Sequence, residues 1–250
     1  MRLHELWEKN LSARNAWQHL PGTYLSELLA SSGVDVVTLD LQHGMIDLAS
    51  AGDSILAIEA RGAAPFARVP EVDVAQIGSL LDAGLAGVIC ATVESRAQAE
   101  ALVGAIYYPP IGKRSCGPNR ALLSFGKDYL DCSQDRLVSF AMIETVAGLE
   151  AVDEIAATEY LTGLFIGPGD LGISMGIGPG QDRSEPEFLE AVERIKQAAR
   201  RHDLRLGIHA NTPEYAANMA QQGFDLVTVC ADAELVGSGA INAVQRFGQL

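Results

Sequence analysis

Two carboxylates, an arginine, a histidine and a glycine-rich turn are the groups in this chain whose chemistries would combine. The apolar run Gly163-Leu164-Phe165-Ile166 reads as a buried strand, and it stops at Gly167-Pro168-Gly169, which delivers Asp170 to its exposed end. Glu144 closes a second such run in Met142-Ile143-Glu144-Thr145. Two carboxylates on adjacent strands suit an oxygen-coordinated divalent cation that keeps positions open for water and substrate. Gly169 lets the backbone approach a ligand closely, so free N–H groups at Gly169 and Asp170 would hold a carboxylate beside that cation. Arg68 follows the apolar Phe66-Ala67 and either pairs with Asp40 or Glu144 or faces a developing enolate oxygen. His43 lies just past Asp40 in Asp40-Leu41-Gln42-His43-Gly44, and a carboxylate on one imidazole nitrogen would leave the other as a general base. Together these groups describe enolisation of a 2-oxo acid. Schiff-base chemistry is disfavoured, because none of Lys9, Lys113, Lys127 and Lys196 ends a predicted strand.

Two short patterns overlap the turn. Gly167-Pro168-Gly169-Asp170-Leu171-Gly172 spells a dinucleotide fingerprint, and Gly172-Ile173-Ser174-Met175-Gly176 spells a nucleophile elbow centred on Ser174. Both mechanisms require a long helix to open at once, whereas this chain continues Ile177-Gly178-Pro179-Gly180, which is loop chemistry.

The elements that must position these groups alternate. Strands are predicted over Ala13–Trp17, Val34–Asp40, Pro65–Val69, Gly87–Val93, Val138–Glu144, Gly163–Gly167, Arg205–His209 and Asp225–Cys230. Helical spacing falls between and after them, over Tyr24–Ala30, Leu48–Ala60, Val74–Ala83, Arg96–Ile106, Val146–Ala156, Glu187–Arg201, Glu214–Gln222 and Ala233–Phe247. Eight strand–helix units in 250 residues predict an α/β fold of a single domain, a (β/α)8 TIM barrel whose strand C-terminal ends share one pocket. The long segment from Tyr107 to Asp135 is expected to be a functional loop.

With 18 Lys and Arg against 32 Asp and Glu, the formal charge is −14, which argues against nucleic acid or an anionic membrane as partner. An anionic substrate would then need a local positive field from an Arg, a metal or backbone N–H groups. No apolar run is long enough to span a membrane, and Met1-Arg2-Leu3-His4-Glu5 lacks a signal-peptide core, so a cytoplasmic protein is expected. Cys90, Cys116, Cys132 and Cys230 form no Cys-x-x-Cys pair and read as buried, reduced thiols.

The islands Leu39-Asp40-Leu41-Gln42-His43-Gly44, Ala67-Arg68-Val69-Pro70, Leu80-Leu81-Asp82-Ala83-Gly84, Tyr108-Pro109-Pro110-Ile111-Gly112-Lys113-Arg114, Ile143-Glu144-Thr145 and Phe165-Ile166-Gly167-Pro168-Gly169-Asp170-Leu171 span nearly the whole chain. In this order they resemble the metal-dependent (class II) pyruvate aldolases of the HpcH/HpaI type, which include 4-hydroxy-2-oxoheptanedioate and 2-dehydro-3-deoxyglucarate aldolases. The resemblance implies Mg²⁺ or Mn²⁺, with Co²⁺ a further fit, held by Glu144 and Asp170 and chelated by pyruvate. It implies Arg68 on the keto oxygen, His43 paired with Asp40 in proton transfer, and backbone amides of Gly169 and Asp170 on the substrate carboxylate, with Gln42 a further substrate contact. It places Asp82 near a subunit interface, and it implies a homohexamer, a trimer of dimers, that exchanges the C-terminal helix over Ala233–Phe247.

The chain departs from the better-known members at Gln42, where they carry Glu, and at Met142, where they carry Gln. At the first strand end it has Trp17-Gln18-His19 in place of small residues, which would narrow the pocket or recognise an acceptor hydroxyl. His209 and Asn211 are expected to be structural. The implied reaction is reversible cleavage of a 4-hydroxy-2-oxo acid to pyruvate or hydroxypyruvate plus an aldehyde. The rivals are a citrate-synthase-like enzyme condensing oxaloacetate with acetyl-CoA, a serine hydrolase at Ser174, and a barrel that binds 2-oxo acids without turning them over.

Overall fold

The computed structural model describes residues 2–248. Eight strands run β1 (Ala13–Gln18), β2 (Val36–Asp40), β3 (Ala64–Val69), β4 (Gly87–Cys90), β5 (Val138–Ile143), β6 (Gly163–Ile166), β7 (Arg205–Ile208) and β8 (Leu226–Ala231). They pair in parallel in chain order, and β8 returns to β1 to close a barrel. Before, between and after them lie α1 (Arg2–Glu8), α2 (Thr23–Ser31), α3 (Leu48–Ala60), α4 (Val74–Asp82), α5 (Arg96–Ile106), α6 (Ala121–Phe125), α7 (Tyr129–Arg136), α8 (Val146–Glu150), α9 (Val152–Ala156), α10 (Pro168–Ser174), α11 (Pro186–Arg201), α12 (Pro213–Gln221) and α13 (Asp232–Phe247). The predicted (β/α)8 barrel is therefore the observed fold. No helix of the described residues is long and apolar enough to cross a membrane.

The barrel interior is filled by aromatic rings set against glycines. Phe66 pairs across the sheet with Gly87, Phe140 with Gly163, and Phe165 with Gly207. A methyl group on any of the three glycines would overlap the ring opposite. Each of these phenylalanines is fully buried, which contributes roughly 2–3 kcal/mol per ring. A second apolar layer, including Leu39, Val88, Ile143 and Ile166, joins the outer strand faces to the helices. Helix entries follow local chemistry: Ser95 Oγ accepts the Gln98 N–H at 3.3 Å, and Thr212 Oγ1 accepts that of Tyr215 at 3.3 Å.

One element is new and three sequence expectations change. Residues 2–8 form α1, whose Trp7 indole donates to the Asp225 carbonyl at 2.9 Å and packs edge-on against Phe140, plugging the strand starts. The segment from Tyr107 to Asp135 is not a loop at the chemical end of the barrel. It folds into α6 and most of α7, and Phe125 and Arg136 lie beside Ala64, Pro65 and Ala86 at the opposite end. A connection from helix back to strand must lie there, where a barrel's residues serve stability. The helix expected over Val146–Ala156 breaks at Ala151 into α8 and α9. Of the four thiols, all free, only Cys90 is buried; Cys116 is exposed and the others are half-buried.

Candidate active site

The C-terminal strand ends enclose a cavity of about 170 Å³. β1 contributes Trp17 and, just past its end, His19; β3 contributes Arg68; β5 contributes Met142 and delivers Glu144; the segment after β6 supplies Gly167, Pro168, Gly169 and Asp170; His209 follows β7. His43 and Gln181 complete the lining. A cleft of about 240 Å³ at the other end of the barrel, beside Leu3, Pro65 and Phe125, holds none of these groups.

Arg68 is fixed from two sides. The β2–β3 register sets Asp40 opposite it, and the Arg68 Nε donates to Asp40 Oδ1 at 3.0 Å while Nη2 bonds Oδ2. Its guanidinium carbon stands 5.0 Å from the centre of the Trp17 ring, and the Trp17 indole donates to the same Asp40 Oδ2 at 3.1 Å. Burial works against charge on Asp40, but the Arg68 guanidinium outweighs it, with the Trp17 indole and the His43 N–H adding to the effect, and the carboxyl is held at about 2. Asp40 is therefore a buried counterion that aims Arg68 into the cavity.

Glu144 is almost wholly buried. Its Oε1 accepts the Thr92 backbone N–H at 2.7 Å and the Thr92 hydroxyl at 2.9 Å. Thr92 adopts φ 51 to do so, a left-handed conformation rare for a β-branched residue. No donor among the described residues reaches Oε2, which lies against Gly167, where a methyl group would come within 2.5 Å of it. Burial first, then the charge of Asp170, pushes the Glu144 carboxyl above its ordinary range, against the Thr92 hydrogen bonds. Two carboxylates facing one cavity with a bare oxygen fit a divalent cation of oxygen preference. No cluster of three or more His, Cys, Asp or Glu ligands occurs among the described residues.

The predicted groups are not all gathered here. Asp170 does not end β6; it sits in the first turn of α10. A seven-residue helix opens within the Gly-Pro-Gly turn, where Pro168 at its first position presets φ, but it ends at Ser174, short of the long helix that both patterns require, and loop follows as expected. Its last residue, Ser174, accepts the Val146 N–H at 2.9 Å and lies outside the cavity, so it has neither the elbow nor the setting of a nucleophile. Gln42 does not line the cavity: its Oε1 is buried without a partner, while its N–H donates to Asp40. Gln18 is buried and bonds the Leu20 carbonyl and the Ser26 hydroxyl, so it holds the turn into α2. Asp82, at the end of α4, pairs with Arg114 at 2.6 Å, away from the cavity. The residue paired with Asp40 through its ring is not His43. His43 offers Asp40 its backbone N–H at 3.1 Å, and its side chain lies exposed at the cavity mouth. His19 Nε2 instead lies 3.4 Å from Asp40 Oδ2, and Nδ1 lies 3.3 Å from Asp232 Oδ1.

Thr92, Gln181 and Asp232 escaped the sequence reading. Thr92 follows an apolar run without a motif, and Asp232 reads as an ordinary acid at a helix start. Gln181 is presented between two anchors. Asp182 accepts the N–H groups of Asn211 and Thr212, and buried Arg183 bonds the Pro168 carbonyl at 3.0 Å. That clamp explains Gly172, where a side chain would collide with Arg183.

His209 stands edge-on to Trp17 with ring centres 4.9 Å apart. Burial first, then the charge of Arg68, lowers its pKa to about 4, so its ring is neutral at working pH. The sign of the linkage follows: an unfolded chain binds that proton near pH 6.5 and the folded one does not, so stability falls as pH drops from about 6.5 towards 4. Solvent in the cavity limits the loss to about 2 kcal/mol. Urea midpoints across this range should slope accordingly in the parent protein, and His209→Phe should flatten the slope.

The arrangement has close relatives. A hydroxypyruvate/pyruvate aldolase of Rhizorhabdus wittichii is 36% identical over 239 residues, covering 96% of this chain and 95% of its own. A 5-keto-4-deoxy-D-glucarate aldolase of Escherichia coli is 30% identical over 234 residues, covering 92% and 90%. Among solved structures, the citrate synthase SbnG superposes with a TM-score of 0.86 at 28% identity over 98% of both chains. A family model described as HpcH/HpaI aldolase/citrate lyase matches residues 16–238, a span that takes in every cavity residue from Trp17 to His209. Fold, cavity and relatives agree: the chain belongs to the HpcH/HpaI aldolase/citrate lyase family and is an enzyme of the aldolase class.

Proposed function

We propose that this enzyme reversibly cleaves a 4-hydroxy-2-oxo acid into pyruvate or hydroxypyruvate and an aldehyde, with Mg²⁺ or Mn²⁺ held by Glu144 and Asp170. One observation carries the reading: Glu144, with its bare Oε2, and Asp170 share a cavity with Arg68, and no lysine is among the described residues that line it. The names of the two aldolase relatives support the substrate class. A bound divalent cation supplies Lewis-acid polarisation of the 2-oxo group. Arg68, held by Asp40, offers its remaining guanidinium donors to the oxygen on which enolate charge develops. The Gly169 and Asp170 N–H groups receive the substrate carboxylate. His43, at the cavity mouth and open to water, exchanges the proton at the methyl carbon. The four free thiols support an enzyme that works in the cytoplasm.

Exchange of pyruvate methyl protons with D₂O, followed by NMR, tests this reading. Metal-stripped protein should be silent, added Mg²⁺ or Mn²⁺ should restore exchange, and His43→Ala should slow it about 10²- to 10⁴-fold. Consumption of acetyl-CoA with oxaloacetate, and no exchange of pyruvate protons, would instead identify a condensing enzyme, the reaction named for one structural relative.

The same reading includes a homo-oligomer, a hexamer in which α13 docks on a neighbouring copy. Leu235, Val236, Ile241, Val244 and Phe247 are all more than half exposed on α13, an apolar face that one chain leaves uncovered. Light scattering on the purified protein should give a multiple of the 26.5 kDa chain, and Ile241→Glu with Val244→Glu should reduce it.

A further inference from the structure

His19 stands where the family resemblance leads one to expect a small residue, and the fold has built a setting around it. Its backbone N–H donates to Asp232 Oδ1 at 2.8 Å, and its carbonyl accepts the Met45 N–H at 2.7 Å. The position of the ring is therefore fixed by main chain. Asp232 is itself buried, and its Oδ2 accepts the Leu20 N–H at 2.9 Å. Its Oδ1 faces the ring Nδ1 at 3.3 Å, a hydrogen bond when Nδ1 carries the proton, and that tautomer leaves Nε2 for other work.

Nε2 is the less engaged nitrogen. Asp40 Oδ2, 3.4 Å away, already accepts from the Trp17 indole and from Arg68, and a contact of that length is the weakest of the three. The ring lines the same cavity as Glu144, Asp170 and Arg68.

We propose that His19, oriented by Asp232, is the acid–base residue for the aldehyde oxygen, a role separate from proton exchange at the methyl carbon. The proposal rests on the aldolase reading of the cavity. In cleavage, Nε2 takes the proton of the C4 hydroxyl, the O–H electron pair becomes the second bond of the aldehyde C=O, and the C3–C4 pair passes to C3 as the enolate. The imidazolium then releases its proton to solvent, and C3 takes one from His43, which regains it from water. In synthesis the imidazolium protonates the new alkoxide. Nothing is oxidised or reduced.

Methyl-proton exchange needs no aldehyde, so it separates this role from the rest of the site. With Mn²⁺, pyruvate and glycolaldehyde as probes, His19→Gln and His19→Ala should lower kcat for carbon–carbon bond formation about 10²- to 10⁴-fold while methyl exchange continues at the parent rate. Asp232→Asn should give a smaller loss of kcat and alter the tautomer pattern of the His19 ring nitrogens by ¹⁵N NMR. Retained bond formation in both His19 variants overturns the proposal. So does parallel loss of exchange and bond formation, which would make His19 a support for Asp40 and Arg68. Absence of exchange in the parent protein overturns the aldolase reading and this proposal with it, an outcome distinct from the other two.

Discussion

Glu144→Gln is expected to reduce turnover to background, on the order of 10³-fold or more, without weakening the fold. Glutamine keeps the size of the side chain and an oxygen able to accept both Thr92 donors, so the local structure has no reason to change. What disappears is one negative charge in a buried place, already disfavoured by burial and by Asp170. The substitution therefore removes a carboxylate that its surroundings disfavour and, on the proposed function, a ligand of the cation with it. Calorimetric titration with Mg²⁺ or Mn²⁺ should show weakened binding, while the melting temperature stays level or rises, as expected when a site holds strain for function. A variant that binds metal normally and turns over at the parent rate would remove Glu144 from the metal site.

Arg68→Met is expected to lose both activity and stability. Truncating a cation aimed at developing negative charge lowers kcat on the order of 10²- to 10³-fold. It also leaves Asp40, fully buried, with only the Trp17 indole, the neighbouring backbone N–H groups and the long His19 contact. Breaking a buried pair by removing one partner costs about 3–5 kcal/mol. Acid should expose the same coupling in the parent protein. Asp40's folded pKa of about 2 lies below its unfolded value, so the stability it contributes, about 2 kcal/mol, is full above pH 4 and is lost as pH falls towards 2. Arg68→Met should lack that acid-dependent loss in urea titrations, having lost the interaction at every pH. Arg68→Lys tests geometry, since an ammonium keeps the charge and cannot reproduce the two-pronged bond to Asp40.

The Asp40–Arg68 pair shows how far the sequence reaches. Each residue ends an apolar run, and parallel strands in chain order put the second and third ends side by side, so local pattern was enough to set the two together, with Glu144 left as the other possible partner of Arg68. The same holds for Glu144 and Asp170, delivered by adjacent β5 and β6, and for most strand and helix bounds, because hydrophobic period and caps are written locally.

The partner of His19 was not legible in this way. Asp232 lies 213 positions along the chain and meets it only because β8 closes against β1, a contact that depends on the whole barrel. A near neighbour in sequence, His43, looked the better partner for Asp40, yet the chain bends so that it gives a backbone N–H and turns its ring to the cavity mouth. Thr92 likewise gains its role from a left-handed backbone that no residue type announces. The turn-rich segment from Tyr107 to Asp135 drew attention through its length, but only topology could say which end of the barrel it covers, since connections from helix to strand lie at the strand starts. The sequence by itself determined the barrel, the strand ends that share a cavity and the two carboxylates delivered there, because these depend on periodicity and on strand order. The tertiary structure alone decided which groups pair across that end, because ring closure brings together residues from opposite ends of the chain.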